Sequence, residues 1–221
     1  MRVAPGISVL LRIRLFTYVE KGVTYARMLP ENTPILILAS SSPRRQELLR
    51  EAGIPFEIHP AHLNEERHAG ERPLEYAQRL SLEKAQAVAP QHPQRYVLGA
   101  DTIVVVDDAV LGKPRDHADA VRMLRKLSGR GHQVITAVTL ISANGYTDTR
   151  ACTTQVYFRD LTMDEIQQYV TGGEPMDKAG AYAIQGGASL WADRIEGEYS
   201  NVVGLPLSVV TEMLRTNGLL K

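Results

Sequence analysis

The chain is poor in cysteine and has no net charge. Cys152 is the single cysteine among 221 residues. That excludes an intramolecular disulfide and a cysteine-built zinc cluster, and a reducing cytoplasm is the compartment it implies. Lys plus Arg equals Asp plus Glu, 25 against 25, so the surplus of positive charge expected of a general nucleic-acid binder is missing. A local basic pocket is still compatible with that balance. No apolar run approaches the ~20 residues of a membrane span. No Walker A motif is present, and no Gly-x-Gly-x-x-Gly follows a strand. His59, His62, His68, His92, His117 and His132 are scattered and suggest no metal cluster. Internal repeats and low-complexity tracts are absent too. The length favours one α/β domain, or one domain with a smaller lobe.

The first segment stands apart. Arg2, Arg12, Arg14, Lys21 and Arg27 face only Glu20, and Arg12 cuts short the apolar stretch Ile7–Leu11, which makes a poor signal peptide. Residues 1–33 read as a disordered extension or a misassigned start, with Met28 as the functional one; a transit peptide is the weaker reading. The main domain is expected over 34–221. Strand Ile35–Ser41 leads into helix Pro43–Ala52, and Phe56–His59 forms a short strand. A polar loop runs to Glu71, then helix Pro73–Ala89 presents Leu74, Ala77, Leu80, Ala85 and Val88 on one stripe. Tyr96–Val106 is β, broken at Gly99–Thr102, and Asp107-Asp108 is a tight turn. Asp116 caps a helix to Ser128. Val134–Ile141 and Tyr146–Phe158 flank the hairpin signal Asn144-Gly145. Thr162 and Glu165 suit a capping box, Ala181–Gln185 reads as a strand, and Pro206–Asn217 as a closing helix. Hairpins among mixed strands and helices argue for a mixed α/β sheet with flanking helices, not a purely parallel one.

Four places could carry chemistry. Ser40-Ser41-Ser42-Pro43-Arg44-Arg45 follows a β run and opens a helix. Ser42 is placed to cap that helix and Pro43 suits its first position. Helix N-termini favour anions, and guanidinium groups match phosphate oxygens. The alternative is a solvated helix start. Lys84 lies on the apolar stripe of its helix, where it either snorkels or meets an anion. Asp101 interrupts a β run, either to stabilise a bend or as a carboxylate at a strand end. The glycine- and alanine-rich stretch from Asp177 to Gly186 lets backbone approach a ligand, and Gln185 could read a base edge. Several cations around one well-placed aspartate suit a polyphosphate, with Mg²⁺ held by Asp101 and Glu65.

The run Leu38–Leu49 with its serines and arginines resembles the opening of the Maf (septum-formation) family of nucleotide pyrophosphatases. Glu83-Lys84-Ala85, Gly99–Thr102, Gly112-Lys113-Pro114, Lys126–Gly129 and Val203–Pro206 resemble further blocks of the same family, in order. The resemblance implies a fold like that of inosine triphosphate pyrophosphatases. It implies hydrolysis of a nucleoside triphosphate to the monophosphate and pyrophosphate with a divalent cation, Mg²⁺ or else Mn²⁺. It makes Asp101 the catalytic base, with Glu65 and Lys84 beside it and Asp101 and Glu65 on the metal. Arg44, Arg45, Lys84 and Lys113 would hold phosphates across the Ser40–Ser42 turn. Asp177–Tyr182 with Ile184–Gly186 looks like the branch acting on dTTP and UTP, in which Arg44, Thr102 and Gln185 bear on substrate choice. Modified pyrimidine nucleotides would fit the same face. A 7-methyl-GTP pyrophosphatase and a non-catalytic nucleotide-binding regulator of cell division are the rivals. The expected partner is the small nucleotide, with neither nucleic acid nor membrane, and the family suggests a homodimer.

Overall fold

A computed structural model of the protein describes residues 13–20, 23–30 and 36–220. The chain divides into two units, Met1–Ile35 and Leu36–Lys221. In the first, β1 (Ile13–Glu20) and β2 (Val23–Pro30) pair antiparallel, with Glu20 opposite Val23. Residues 13–30 therefore include a paired ribbon where the sequence reads as a disordered extension; valine and threonine in both strands suit that state. Residues 1–12 lie outside the described residues.

The second unit is built on one sheet. It contains β3 (Leu36–Leu38), β4 (Phe56–Ile58), β5 (Tyr96–Val106), β6 (Ala109–Leu111), β7 (Gly131–Ile141), β8 (Thr147–Phe158) and β9 (Ala192–Glu196), ordered β4-β3-β5-β7-β8-β9 with β6 on β5. β3 runs parallel to β4 and β5, and every other pairing is antiparallel. The sheet is thus mixed, as hairpin signals beside strand–helix alternation require. The helices are α1 (Pro43–Glu51), α2 (Pro73–Val88), α3 (His117–Leu127), α4 (Met163–Thr171), α5 (Tyr199–Val203) and α6 (Leu207–Thr216). No described helix is long and apolar enough to cross a membrane.

β5 organises the molecule. One edge pairs with β7 along Val97–Val105. The other pairs with β3 only at Tyr96–Leu98 and with β6 only at Val104–Val106. β3 leaves this edge after Ala39, whose N–H donates to Leu98 O at 2.9 Å, and the chain turns through the serines into α1. Gly99–Ile103 are left without a strand on that side, just beyond the carboxyl end of β3, where open α/β sheets bind ligands. The strand itself continues through Gly99–Thr102 without the expected break, because β7 pairs with it throughout. Side-chain alternation then sends Asp101 to one face and Thr102 to the other. Asp101 shares its face with Ile103 and Val105, which pack with Ala77 of α2.

Three local expectations are corrected. Leu74 is exposed; it falls on the first turn of α2, outside the buried face of Ala77, Leu80, Ser81, Lys84, Ala85 and Val88. Within the expected strand Ile35–Ser41 only Leu36–Leu38 pair; Ile35 is outside the described residues. Ala181–Gln185 is not a strand. Gly180 and Ala181 adopt φ of 70° and 62°, and Gly180 N donates to Gly112 O and Ala183 N to the Tyr169 hydroxyl. These bonds fold the segment into turns. β6, β9 and α5 add to the elements expected from the sequence.

Candidate active site

The unpaired edge of β5 opens onto a cleft of about 730 Å³, a volume typical of small-molecule sites. Ser40, Ser42, Arg44, Arg45, Glu65, Lys84, Asp101, Thr102 and Lys113 all line it. Gln185 does not: it is exposed and outside the lining. The turns at Gly180 and Ala181 direct Tyr182 inward instead, and Tyr182 is among the lining residues.

At the centre, Lys84 Nζ lies 2.7 Å from Asp101 Oδ1 and 2.7 Å from Glu65 Oε1. Lys84 and Asp101 are buried, at 8% and 6% exposure. Lys84 therefore neither snorkels nor waits for a ligand; it bridges two carboxylates. The bridge depends on how closely α2 approaches β5. A Cβ on Gly99 would stand 2.2 Å from Ser81 O and 2.7 Å from Ala85 N, so only glycine lets the helix seat Lys84 opposite Asp101.

The two carboxylates shift in opposite directions. Burial pushes Asp101 above its ordinary pKa, and Lys84 and then Arg45 oppose that without cancelling it. Burial also acts upward on Glu65, but Lys84, Lys113 and Arg45 together outweigh it and hold that carboxyl below its usual range. Opposite environments of this kind separate proton-transfer roles. Burial makes Asp101 a stronger base than a free aspartate, and Glu65 stays ionised at neutral pH.

The two arginines also separate. Arg45 is buried, and its guanidinium makes three hydrogen bonds inside the protein. Nε donates to Gly204 O at 2.9 Å, Nη1 to Ser40 Oγ at 3.0 Å and Nη2 to Thr102 Oγ1 at 3.1 Å. Thr102 Oγ1 lies 3.0 Å from Thr136 Oγ1, which donates to Asn201 O. Arg45 thus ties the serine turn, β5 and the end of α5 together, a structural task that Arg44 does not share. Ser40 Oγ also accepts from Ser42 N–H at 3.2 Å. Ser42 holds the cap position of α1, yet its side chain makes no capping bond. The first-turn amides of Arg44 and Arg45 consequently have no partner among the described residues. The Arg44 side chain and exposed Lys113 make no hydrogen bond or salt bridge among the described residues, and act on their neighbours only through charge. These groups leave donors and positive charge at the cleft rim, as an anion site requires.

No group of three His, Cys, Asp or Glu residues able to hold a metal occurs among the described residues. Asp101 and Glu65 each give one oxygen to Lys84, and the other oxygen of each has no partner among the described residues. One or two carboxylates completed by water and phosphate oxygens is the ordinary donor set for Mg²⁺, so the pair fits a cation that arrives with a phosphate ligand.

A family model described as Maf-like protein matches residues 35–217. A dTTP/UTP pyrophosphatase of Koribacter versatilis is 54% identical over 186 residues, 84% of this chain and 95% of that protein. The dTTP/UTP pyrophosphatase of Geobacter metallireducens is 52% identical over 193 residues, 87% of this chain and all of that one. Among solved structures, a HAM1 protein from Coxiella burnetii covers 82% of this chain and 99% of its own, at a TM-score of 0.47 and 12% identity, a likeness too distant to carry an argument.

Proposed function

The chain belongs to the Maf-like family, and on that premise we propose that it hydrolyses dTTP and UTP to the nucleoside monophosphate and pyrophosphate. Relatives at 50–54% identity that carry this activity in their names support the substrate class. The single observation that carries the chemistry is the bridge of Glu65, Lys84 and Asp101 inside a cleft whose rim holds unpaired Arg44, Lys113 and helix amides.

In this reading the triphosphate lies along the start of α1. Arg44, Lys113 and the free amides bind its oxygens, a charge-assisted contact set. Asp101, raised by burial, takes a proton from the water that attacks the α-phosphorus, and pyrophosphate leaves. Lys84 holds the Asp101 carboxylate in place and offsets charge developing beside it. Glu65 orients the water from the opposite side. A divalent cation, Mg²⁺ before Mn²⁺, would be held by the free oxygens of Asp101 and Glu65. When bound it would neutralise charge on the phosphate oxygens.

Pyrophosphate release from a nucleotide panel is the test. The expected order puts dTTP and UTP first. Preferential cleavage of 7-methyl-GTP, or tight binding of dTTP with no release at all, would sink the proposal in favour of the corresponding rival.

A further inference from the structure

We propose that Tyr76 and Arg79 of α2 are positioning residues that latch the loop before the helix and so fix Glu65 in the cleft; this rests on the role given to Glu65 above. The loop from Pro60 to Arg72 has no regular structure, and Glu65 to Gly70 are exposed. Apolar burial alone does not hold it, so its position must come from polar anchors.

α2 supplies those anchors from one face. The Tyr76 hydroxyl donates to the carbonyl of Glu65 itself at 2.6 Å. Arg79 Nη2 donates to the next carbonyl, Glu66 O, at 3.0 Å. Arg79 also grips Glu71 at both carboxylate oxygens, Nε to Oε1 at 2.7 Å and Nη2 to Oε2 at 2.9 Å. Glu71 in turn accepts from His68 N–H at 3.1 Å, and its carbonyl accepts from Arg67 Nε at 2.9 Å. The far end of the loop is thus wound around the residue that Arg79 holds. Arg79 stacks on Tyr76, its guanidinium carbon 5.5 Å from the ring centroid, so the two latch residues brace each other.

Lys84 stands on the same helix. α2 therefore fixes both ends of the Glu65–Lys84 contact, one directly and one through the latch. A planar two-pronged grip is a property of arginine that lysine lacks. Loss of the latch leaves the cleft lined but lets Glu65 drift, and misplacements of about 1 Å can cost on the order of 100-fold in rate.

The test uses Tyr76→Phe, Arg79→Gln and Arg79→Lys in the full chain, alone and combined with Glu65→Gln. Each single latch variant is expected to lower kcat roughly 10- to 100-fold with nucleotide KM within about 3-fold. On the residual rate of Glu65→Gln, the latch substitutions are expected to have no further effect. Amide exchange should quicken in residues 61–71 while α2 stays protected. Tyr76→Phe removes one exposed hydroxyl and keeps the fold, so it carries the test if Arg79 variants unfold. Wild-type kcat in all three, or an equal loss with and without Glu65, overturns the latch. Full turnover in Glu65→Gln alone overturns the role of Glu65, and the latch with it.

Discussion

Asp101→Asn separates the proposed chemistry from the architecture. The amide is nearly isosteric, and its oxygen can still face Lys84 Nζ, now 2.7 Å from Asp101 Oδ1. Lys84 keeps Glu65 at 2.7 Å, so no buried cation is stranded. What disappears is the proton acceptor. A positioned general base contributes about 10²–10⁴-fold, and kcat should fall by at least that range. Nucleotide affinity measured without divalent cation should hold or rise, because a negative charge beside the triphosphate is removed. The stability sign is also defined. The folded-state pKa of Asp101 lies above its unfolded value because of burial. Its favourable contribution is therefore complete only below the unfolded pKa and is lost as pH rises through the folded one. At pH 7 the wild type carries that cost and the variant does not. Thermal unfolding of Asp101→Asn at pH 7 is expected at or above the wild-type temperature, with the difference vanishing below about pH 3. The assays are single-turnover pyrophosphate release, calorimetric binding of a non-hydrolysable dTTP analogue, and melting curves at both pH values. Wild-type turnover, or a large loss of stability with binding abolished, refutes the argument.

Other expectations follow from the same geometry. Arg45→Lys removes the fork that reaches Ser40, Thr102 and Gly204 and should cost about 2–4 kcal/mol in denaturant unfolding. Arg44→Ala should leave stability within about 0.5 kcal/mol and raise nucleotide KM roughly 10-fold or more; matching phenotypes for the two would contradict their separation. Gly99→Ala must push α2 off β5, because its Cβ would meet Ser81 O at 2.2 Å. It should cost about 1–3 kcal/mol or more and lower kcat together with stability, as read by melting and turnover side by side. Buried His132 shares a 2.8 Å hydrogen bond with the Tyr182 hydroxyl, and burial pushes its pKa down to about 4 from 6.5. A depressed base stabilises the fold above its unfolded pKa and loses that contribution as pH falls through the folded one. Of order 3 kcal/mol should therefore drain away between about pH 6.5 and 4, and His132→Gln should flatten that stretch of the stability–pH curve.

Much of the fold was legible because local signals and tertiary demand agree. Asp116 accepts from Asp119 N–H at 2.7 Å, Thr162 and Glu165 close a reciprocal capping box, and Asn144-Gly145 sits in the β7–β8 turn. Where they disagreed, the tertiary partner won. Gly99–Thr102 reads as a break in isolation, but β7 pairs with every one of those residues. Ala181–Gln185 has strand-like spacing, yet its amides are taken locally: Ala181 N–H donates to Lys178 O and Ala183 N–H to the Tyr169 hydroxyl of α4. The short strands β6 and β9 have too few residues for a periodic signal and exist because β5 and β8 offer them an edge.

The candidate site was legible in residue type and illegible in allegiance. Adjacent arginines at a helix start look equivalent in a sequence, yet successive helical positions point about 100° apart. One therefore turns into the protein while the other stays at the rim, and only the inward one meets Ser40, Thr102 and Gly204. Lys84 presented two readings, because whether a lysine on an apolar stripe snorkels or pairs depends on what the facing strand carries. Asp101 on β5 settles that, and Glu65, delivered by a loop with no periodic pattern, completes it. Gln185 has the chemistry to read a base edge, but left-handed backbone at Gly180 and Ala181 rotates the following residues so that Tyr182 enters the cleft and Gln185 does not. The cations in the sequence thus divide by burial. Lys84 and Arg45, desolvated and hydrogen-bonded to protein groups, hold the cleft in shape, while Arg44 and Lys113, with no hydrogen bond or salt bridge among the described residues, are the ones whose charge is most available to a polyphosphate.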